Sequence, residues 1–170
     1  MAVRRIMMLG EPVLRQKSKK IHRFDGSTKQ LIEDLIETVR DVGGSGLAAP
    51  QIGVPLRAFV SNIEDRLQVV INPEIIDRSE DEIEDNEGCL SIPGWWGPVK
   101  RHARVTVRGL SRTGKPIKIK AEALEARCFQ HEVDHLDGIL YIDRVEDRSK
   151  LFKAESKEEE EELEQEEVFA

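Results

Sequence analysis

The chain has 170 residues, with 26 Lys+Arg against 33 Asp+Glu, a formal net charge of -7 and 39% hydrophobic residues. That length predicts one domain rather than two, and no apolar run reaches the 18 or so residues that a membrane-spanning helix needs. Nine acids and one base fall in Ala154–Ala170, leaving 25 bases and 24 acids in the other 153 residues, so the body is near neutral and lacks the basic excess of a nucleic-acid binder. Two cysteines, Cys89 and Cys128, are too few for a disulfide framework. Met1–Gly10 has no apolar run long enough for a signal peptide, and the two features together predict a reducing, cytoplasmic setting.

Ser27 to Val42 carries Leu31, Ile32, Leu35, Ile36 and Val39 at helical spacings, which predicts a helix opened by a Ser27–Gln30 capping box and stopped by Gly43–Gly44. Gly43 to Pro55, rich in Gly and Pro, predicts a loop. Short β-type runs follow at Arg57–Ser61, Leu67–Asn72 closed by Pro73, Arg104–Arg108 and Pro116–Ala121. The last two alternate apolar and charged residues, so each is expected to keep one wet face, and Ser111–Gly114 between them has hairpin-turn chemistry. Asn86 to Pro98 predicts a second loop or irregular edge of the kind that carries function. Ala123 to Leu136 predicts a second helix, with Leu124, Cys128, His131 and His135 near one face and Gly138 as its stop. From Val145 onward nothing resembles a core, so a single domain of 1–150 is expected to precede an acidic tail over 151–170, solvated or flexible.

The strongest local signal is His131-Glu132-Val133-Asp134-His135. Histidines four apart on a helix share one face, so their ring nitrogens can converge on one metal ion, and Glu132 beside the first ligand is placed to take a proton from a water there. A catalytic ion normally takes three protein ligands and one open position, so a third must be found. Tyr141 occupies the position of a third histidine in one protease pattern, and Glu155 lies 20 residues beyond His135 as in another. Cys128 shares the helix with both histidines, but it lies seven residues from His135, about 10.5 Å of helix rise, and reads as a buried packing residue. Cys89, in the Gly-flanked segment Glu87-Gly88-Cys89-Leu90-Ser91, can approach from another direction, and Cys89, His131 and His135 with an open position is the preferred set. The small residues of Gly44-Ser45-Gly46-Leu47-Ala48-Ala49-Pro50 let backbone approach a ligand closely, and Gln51 offers an amide donor to a developing oxyanion.

Together, the segments Gly44–Gln51, Glu87–Ser91 and Gln130–Gly138 resemble, in order and spacing, the three signature motifs of the peptide deformylases. Gly10–Arg15 and Asn72–Pro73 extend the resemblance to about residues 4–145. It implies an α+β fold with antiparallel β-sheets packed around a central helix carrying the His-Glu-x-x-His motif. It also implies removal of the N-formyl group from the formylmethionine of nascent polypeptides, with release of formate. By resemblance, Cys89, His131 and His135 match the metal ligands and Glu132 the general acid/base, Gln51 and the Leu90 N–H the donors to the formyl oxygen, and Gly46 the glycine that pairs with an extended substrate. Strand addition along Gly44–Gly46 follows. Leu124, Cys128 and the aliphatic part of Arg127 match the wall of the methionine pocket, and Trp96 with Trp95 reads either as ordinary packing or as an apolar rim for later residues.

The resemblance favours Fe2+ in the cell, while one thiolate and two imidazoles suit Zn2+, Ni2+ or Co2+ as well. Ser45 stands where the family more often has an apolar residue, Asp85 replaces an apolar pocket-side residue seen in some members, and the acidic tail offers no basic segment for docking on a ribosome. Two other readings stay open on the residues: a zinc endopeptidase using Glu155, and a structural metal module, for which neither His22 nor His102 lies in a fitting context as a fourth ligand.

Overall fold

The computed structural model describes residues 2–154. The chain folds as α+β: α1 (Gly26–Val42), β1 (Gly46–Ala48), β2 (Ala58–Ile63), β3 (Arg66–Arg78), β4 (Glu82–Cys89), β5 (Ile92–His102), β6 (Arg104–Leu110), β7 (Pro116–Glu122), α2 (Ala123–Leu136) and β8 (Phe152–Lys153), with short 3-10 turns between. A five-stranded antiparallel sheet has the order β1-β2-β3-β6-β7, and a three-stranded sheet has the order β4-β5-β8. No helix among the described residues is long and apolar enough to cross a membrane.

Strand alternation explains why β2 is buried on both faces. Ala58 and Val60 join Leu35, Ile32 and Val39 of α1, whereas Phe59 joins Ala126, Phe129 and Val133 of α2. The five-stranded sheet therefore lies between the two helices, with Phe59 tilted against Phe129 at 5.5 Å between ring centroids. The β4–β5 hairpin covers another side of α2, so buried residues occur all around that helix.

The second helix spans the predicted residues, followed by left-handed Gly138. The first begins one residue earlier than expected, and Asp25 caps it, accepting from the Ser27 and Thr28 N–H groups; the Ser27–Gln30 box is not formed. Leu67–Asn72 does not end at Pro73. The left-handed Asn72 carries a bulge, exchanges two 2.8 Å hydrogen bonds with the backbone of Ile21, and lets β3 continue to Arg78. The Gly43–Pro55 loop contains β1 and a 3-10 turn at Ala49–Ile52. Asn86–Pro98, expected as a loop, is most of the β4–β5 hairpin, whose residues pair in register from Glu82↔His102 to Glu87↔Gly97 and turn at Leu90–Ser91. Its glycines meet packing needs there: a Cβ on Gly88 would lie 3.0 Å from the Trp96 ring. Beyond Tyr141, Val145 is buried and Leu151 packs with it in a third small core, and β8 pairs Lys153 and Phe152 with Trp95 and Trp96. Ordered packing thus runs past the expected boundary at 150, and residues 155–170 of the expected tail lie outside the described residues.

Asp34 on α1 is almost fully buried and accepts from the Ala2 N–H at 3.0 Å, Gln30 Nε2 at 2.8 Å and Arg4 Nη1 at 3.3 Å. Burial alone would raise its pKa, but these bonds and the Arg4 charge hold it below the ordinary carboxylate value. The folded protein therefore binds this proton less tightly than the unfolded chain does. The resulting stability is complete above about pH 4, the unfolded value, and fades as pH falls through the lower folded one. Asp34→Asn is expected to lose about 1–2 kcal/mol at pH 7, and thermal melts across pH should show the gap to wild type closing below about pH 4.

Candidate active site

Helix α2 places His131 and His135 one turn apart on one face, their ring centroids 4.9 Å apart. The hairpin brings Cys89 to them through a register shift between Glu87 and Cys89 at the end of β4. His131 Nε2 lies 3.2 Å from His135 Nε2, which lies 3.4 Å from Cys89 Sγ, and the three ligand atoms fall within 4.8 Å of one another. A tetrahedral ion with ordinary metal–nitrogen and metal–sulfur bonds sets those separations at about 3.3 and about 3.5 Å. The residues present therefore fit one metal ion. His131 turns Nδ1 away and donates it to Glu87 Oε1 at 2.8 Å, which leaves Nε2 for the ion.

Among the described residues, the other candidate ligands stand apart. Cys128 is buried and directs Sγ to Ser45 O at 3.6 Å, and burial pushes its thiol well above the usual value, with the Glu132 charge adding to the rise. Tyr141 is buried against the His131 ring and donates its hydroxyl to Trp95 O at 2.9 Å. His102 binds Ser79 O through Nδ1 at 2.7 Å, and Glu155 lies outside the described residues.

Glu132 is 3% exposed, and its Oε2 has no hydrogen-bond partner among the described residues. Burial pushes its carboxyl up to about 7; His131 and Arg101 oppose the rise and Glu87 adds to it. Gln51, 1% exposed, is fixed by accepting from the Ala48 N–H at 3.0 Å, so that Nε2 donates to Ser91 Oγ at 3.1 Å and lies 3.6 Å from Cys89 Sγ. Glu132, Gln51, Cys89 and His131 share a cavity of about 230 Å³ with Gly44, Ser45, Gly46, Leu90, Trp95, Trp96, Leu124, Arg127 and Cys128. One wall is β1, which among the described residues is an edge strand bonded only to β2. A Cβ on Gly46 would stand 2.8 Å from both Cys128 Sγ and Glu132 Oε1, which explains the glycine. Trp96 is 8% exposed and packs over Gly88, whereas Trp95 is 42% exposed at the rim. Asp85 does not reach this cavity; it borders a second one on the far side of Arg127.

The sequence motifs include Glu87, Ser91 and Asp134 without assigning them roles and leave out Arg101 and Arg144. Glu87 takes Arg101 Nε and Nη2 at 2.8 and 2.9 Å and Arg127 Nη1 at 2.6 Å. Burial would raise its pKa, but the Arg101 charge and the bonds from Arg101 and His131 hold it well below the usual carboxylate range. Arg101 also donates to Asp134 Oδ2 at 2.6 Å, and Arg144 Nη2 donates to Asp134 Oδ1 at 2.8 Å. A signal existed: Arg101 shares the inward face of β5 with Val99, visible once the segment is taken as a strand.

The comparisons agree with this geometry. The sequence profile of the family described as polypeptide deformylase matches residues 3–151. A peptide deformylase from Dehalococcoides mccartyi is 50% identical over 153 residues, covering 89% of this chain and 91% of its own. The crystal structure of peptide deformylase from Thermotoga maritima matches with a TM-score of 0.84 at 39% identity, covering 86% of this chain and all of its own, 100%. A class I type b peptide deformylase from Acinetobacter baumannii with Met-Ala-Ser bound matches with a TM-score of 0.81 at 30% identity, over 85% of this chain and 99% of its own. The chain belongs to the peptide deformylase family. It is a metal-dependent hydrolase that removes the formyl group from the N-terminal formylmethionine of polypeptides.

Two outcomes test the site's construction. Glu87→Gln should weaken metal binding by about 10- to 100-fold, read by chelator competition, because His131 loses the charge that orients it. Gly46→Ala should cut kcat/KM by about 10-fold or more, since a Cβ there must displace the Glu132 carboxylate or the Cys128 thiol; circular dichroism should show the fold kept.

Proposed function

We propose that Cys89, His131 and His135 hold a single divalent ion, Fe2+ in the cell, and that Glu132 is the general acid/base of formyl hydrolysis. The observation that carries the reading is a buried Glu132 oxygen, unpartnered among the described residues, in a cavity that it shares with an open strand edge and with Cys89 and His131 of the Cys-His-His cluster. When bound, the ion supplies Lewis acidity toward a water and toward the formyl oxygen. Glu132 accepts the water's proton at Oε2 as the formyl carbon is attacked and returns it to the leaving amine. Burial pushes this carboxyl toward its protonated form, the direction that suits a group which must both take up and return a proton.

Gln51 Nε2 and the Leu90 N–H donate to the oxyanion. The substrate main chain adds to the β1 edge along Gly44–Gly46, a mode that ignores most side chains. Leu124, Cys128 and the stem of Arg127 receive the methionine side chain, and Trp96 lines the path of the residues after it. Ser45, with a small side chain at the cavity wall, leaves the entrance open. The substrates are N-formylmethionyl nascent chains, met in the cytoplasm near the ribosome without a basic docking segment and without direct nucleic-acid binding. Met-Ala-Ser on the Acinetobacter relative supports this substrate class.

Formate release from formyl-Met-Ala-Ser tests the proposal, using protein purified without oxygen and reconstituted with iron, nickel or zinc. Activity is expected with iron or nickel, and near-total loss in Cys89→Ala. Glu132→Ala should abolish turnover while metal stays bound, and Gln51→Ala should lower kcat by about 10²- to 10³-fold. A folded, metal-loaded wild type that releases no formate overturns the assignment.

A further inference from the structure

A strip of cations runs over the surface just before α1. Residues 12–24 hold Arg15, Lys17, Lys19, Lys20, His22 and Arg23 and no acid. Leu14, Ser18 and Ile21 anchor the segment in the body, while all six basic side chains are exposed. Its backbone is clamped. The Ser18 N–H donates to Leu136 O at 2.8 Å, the Lys19 N–H to Pro55 O at 3.0 Å and the Ile21 N–H to Asn72 Oδ1 at 2.8 Å, and Lys19 O accepts from the Arg57 N–H at 2.9 Å. The cations thus stand on a fixed, extended backbone, which lowers the entropy lost when an anion binds them. Described acids close to the strip are committed elsewhere: Asp25 caps α1 and Asp137 takes Arg57. Among the described residues, the carboxylate paired with the strip is Asp143, which takes Arg15 at its start.

We propose that this strip is the docking surface for the acidic segment of the same chain, residues 155–170. Those residues, outside the described ones, carry nine acids and one base, with Glu158 to Glu162 consecutive. Three observations select this occupant. Charge is the first: a run of like acids repels itself and is relieved by a row of cations. Reach is the second, since 16 residues follow Ala154 and can span about 50 Å, whereas a domain of this length is about 40 Å across. The third is the path of the chain. Arg148 Nη2 lies 3.9 Å from Asp143 Oδ1, the oxygen that accepts from Arg15 Nη2, so the chain passes the start of the strip six residues before it reaches Ala154. A single exposed ion pair contributes little, so the docking depends on several acting together and on low salt. Tethering supplies the acids at an effective concentration on the order of millimolar, which favours them over a polyanion from outside. The docking is independent of the deformylase reading, and the two fail separately.

Carbodiimide cross-linking of the metal-loaded full chain, read by peptide mass spectrometry, tests the proposal, because this zero-length reagent joins carboxylates to amines that are in contact. An equal mixture of 14N- and 15N-labelled protein separates links within a chain from links between copies. At about 0.01 M salt, links from residues 155–170 to Lys17, Lys19 and Lys20 should exceed those to the exposed Lys118 and Lys120 of β7 by about 5-fold or more, and at about 1 M salt, where charges are screened beyond about 3 Å, the preference should vanish. Equal linking to the β7 lysines overturns the docking. So do links found only between copies, which would give the strip to a second molecule, and links lost on adding an equimolar single-stranded oligonucleotide, which would give it to an outside polyanion. In a second measurement, the combined Lys17→Gln, Lys19→Gln and Lys20→Gln variant should shift the amide resonances of residues 155–170 at low salt while leaving kcat/KM on formyl-Met-Ala-Ser unchanged. Unmoved resonances overturn the proposal.

Discussion

The buried carboxylate of Glu87 is the interaction on which the site depends. It lies on the hairpin, yet three of its partners fix other parts of the molecule: His131 on the central helix, Arg101 on the neighbouring strand, and Arg127 between the cavities. An unpaired charge at that depth would cost several kcal/mol. Here one negative charge meets two guanidiniums and an imidazole N–H, with Asp134 balancing Arg101 from the far side. The arrangement satisfies the carboxylate's lone pairs completely, so hairpin and helix are held in one relation and the His131 ring in one orientation.

Much of the chemistry could be read from the sequence because it is local. Two histidines four apart need only a helix to converge, and the helix spans the residues that its periodicity indicates. Cys89 was reachable by elimination, since Cys128 cannot surround an ion together with residues strung along its own helix. What escaped the sequence is what depends on pairing at a distance. Gly and Pro in 86–98 read as loop, although β5 uses Gly97 beside Val145 and Leu151, and Gly88 makes room for Trp96. Once that segment is a strand, Arg101 points inward and the partners of Glu87 follow. Asp85 is singled out by resemblance, as standing where some relatives carry an apolar pocket-side residue, but it borders the second cavity, across Arg127 from the site.

The two sheets divide the labour. The larger one supplies a backbone edge at β1, a generic surface that an extended chain can join regardless of its sequence. The smaller one supplies Cys89 and the aromatic side of the cavity. Between them α2 contributes the two histidines and the buried acid. An open main-chain edge and shaped side-chain walls thus come from different elements of the fold.

The pairing of β8 with β5 bears on the order in which the molecule assembles. Trp96 and Phe152 are bridged although 56 positions separate them, and Ala154 N–H closes on Gly94 O at 2.9 Å. The β4–β5 turn can form by itself from neighbouring residues, but its rim is secured only after a much longer loop has closed, at an entropic cost that grows slowly with length. Securing the rim of the catalytic wall therefore depends on a non-local contact, and the folding rate should be limited by topology more than by the ready formation of either helix.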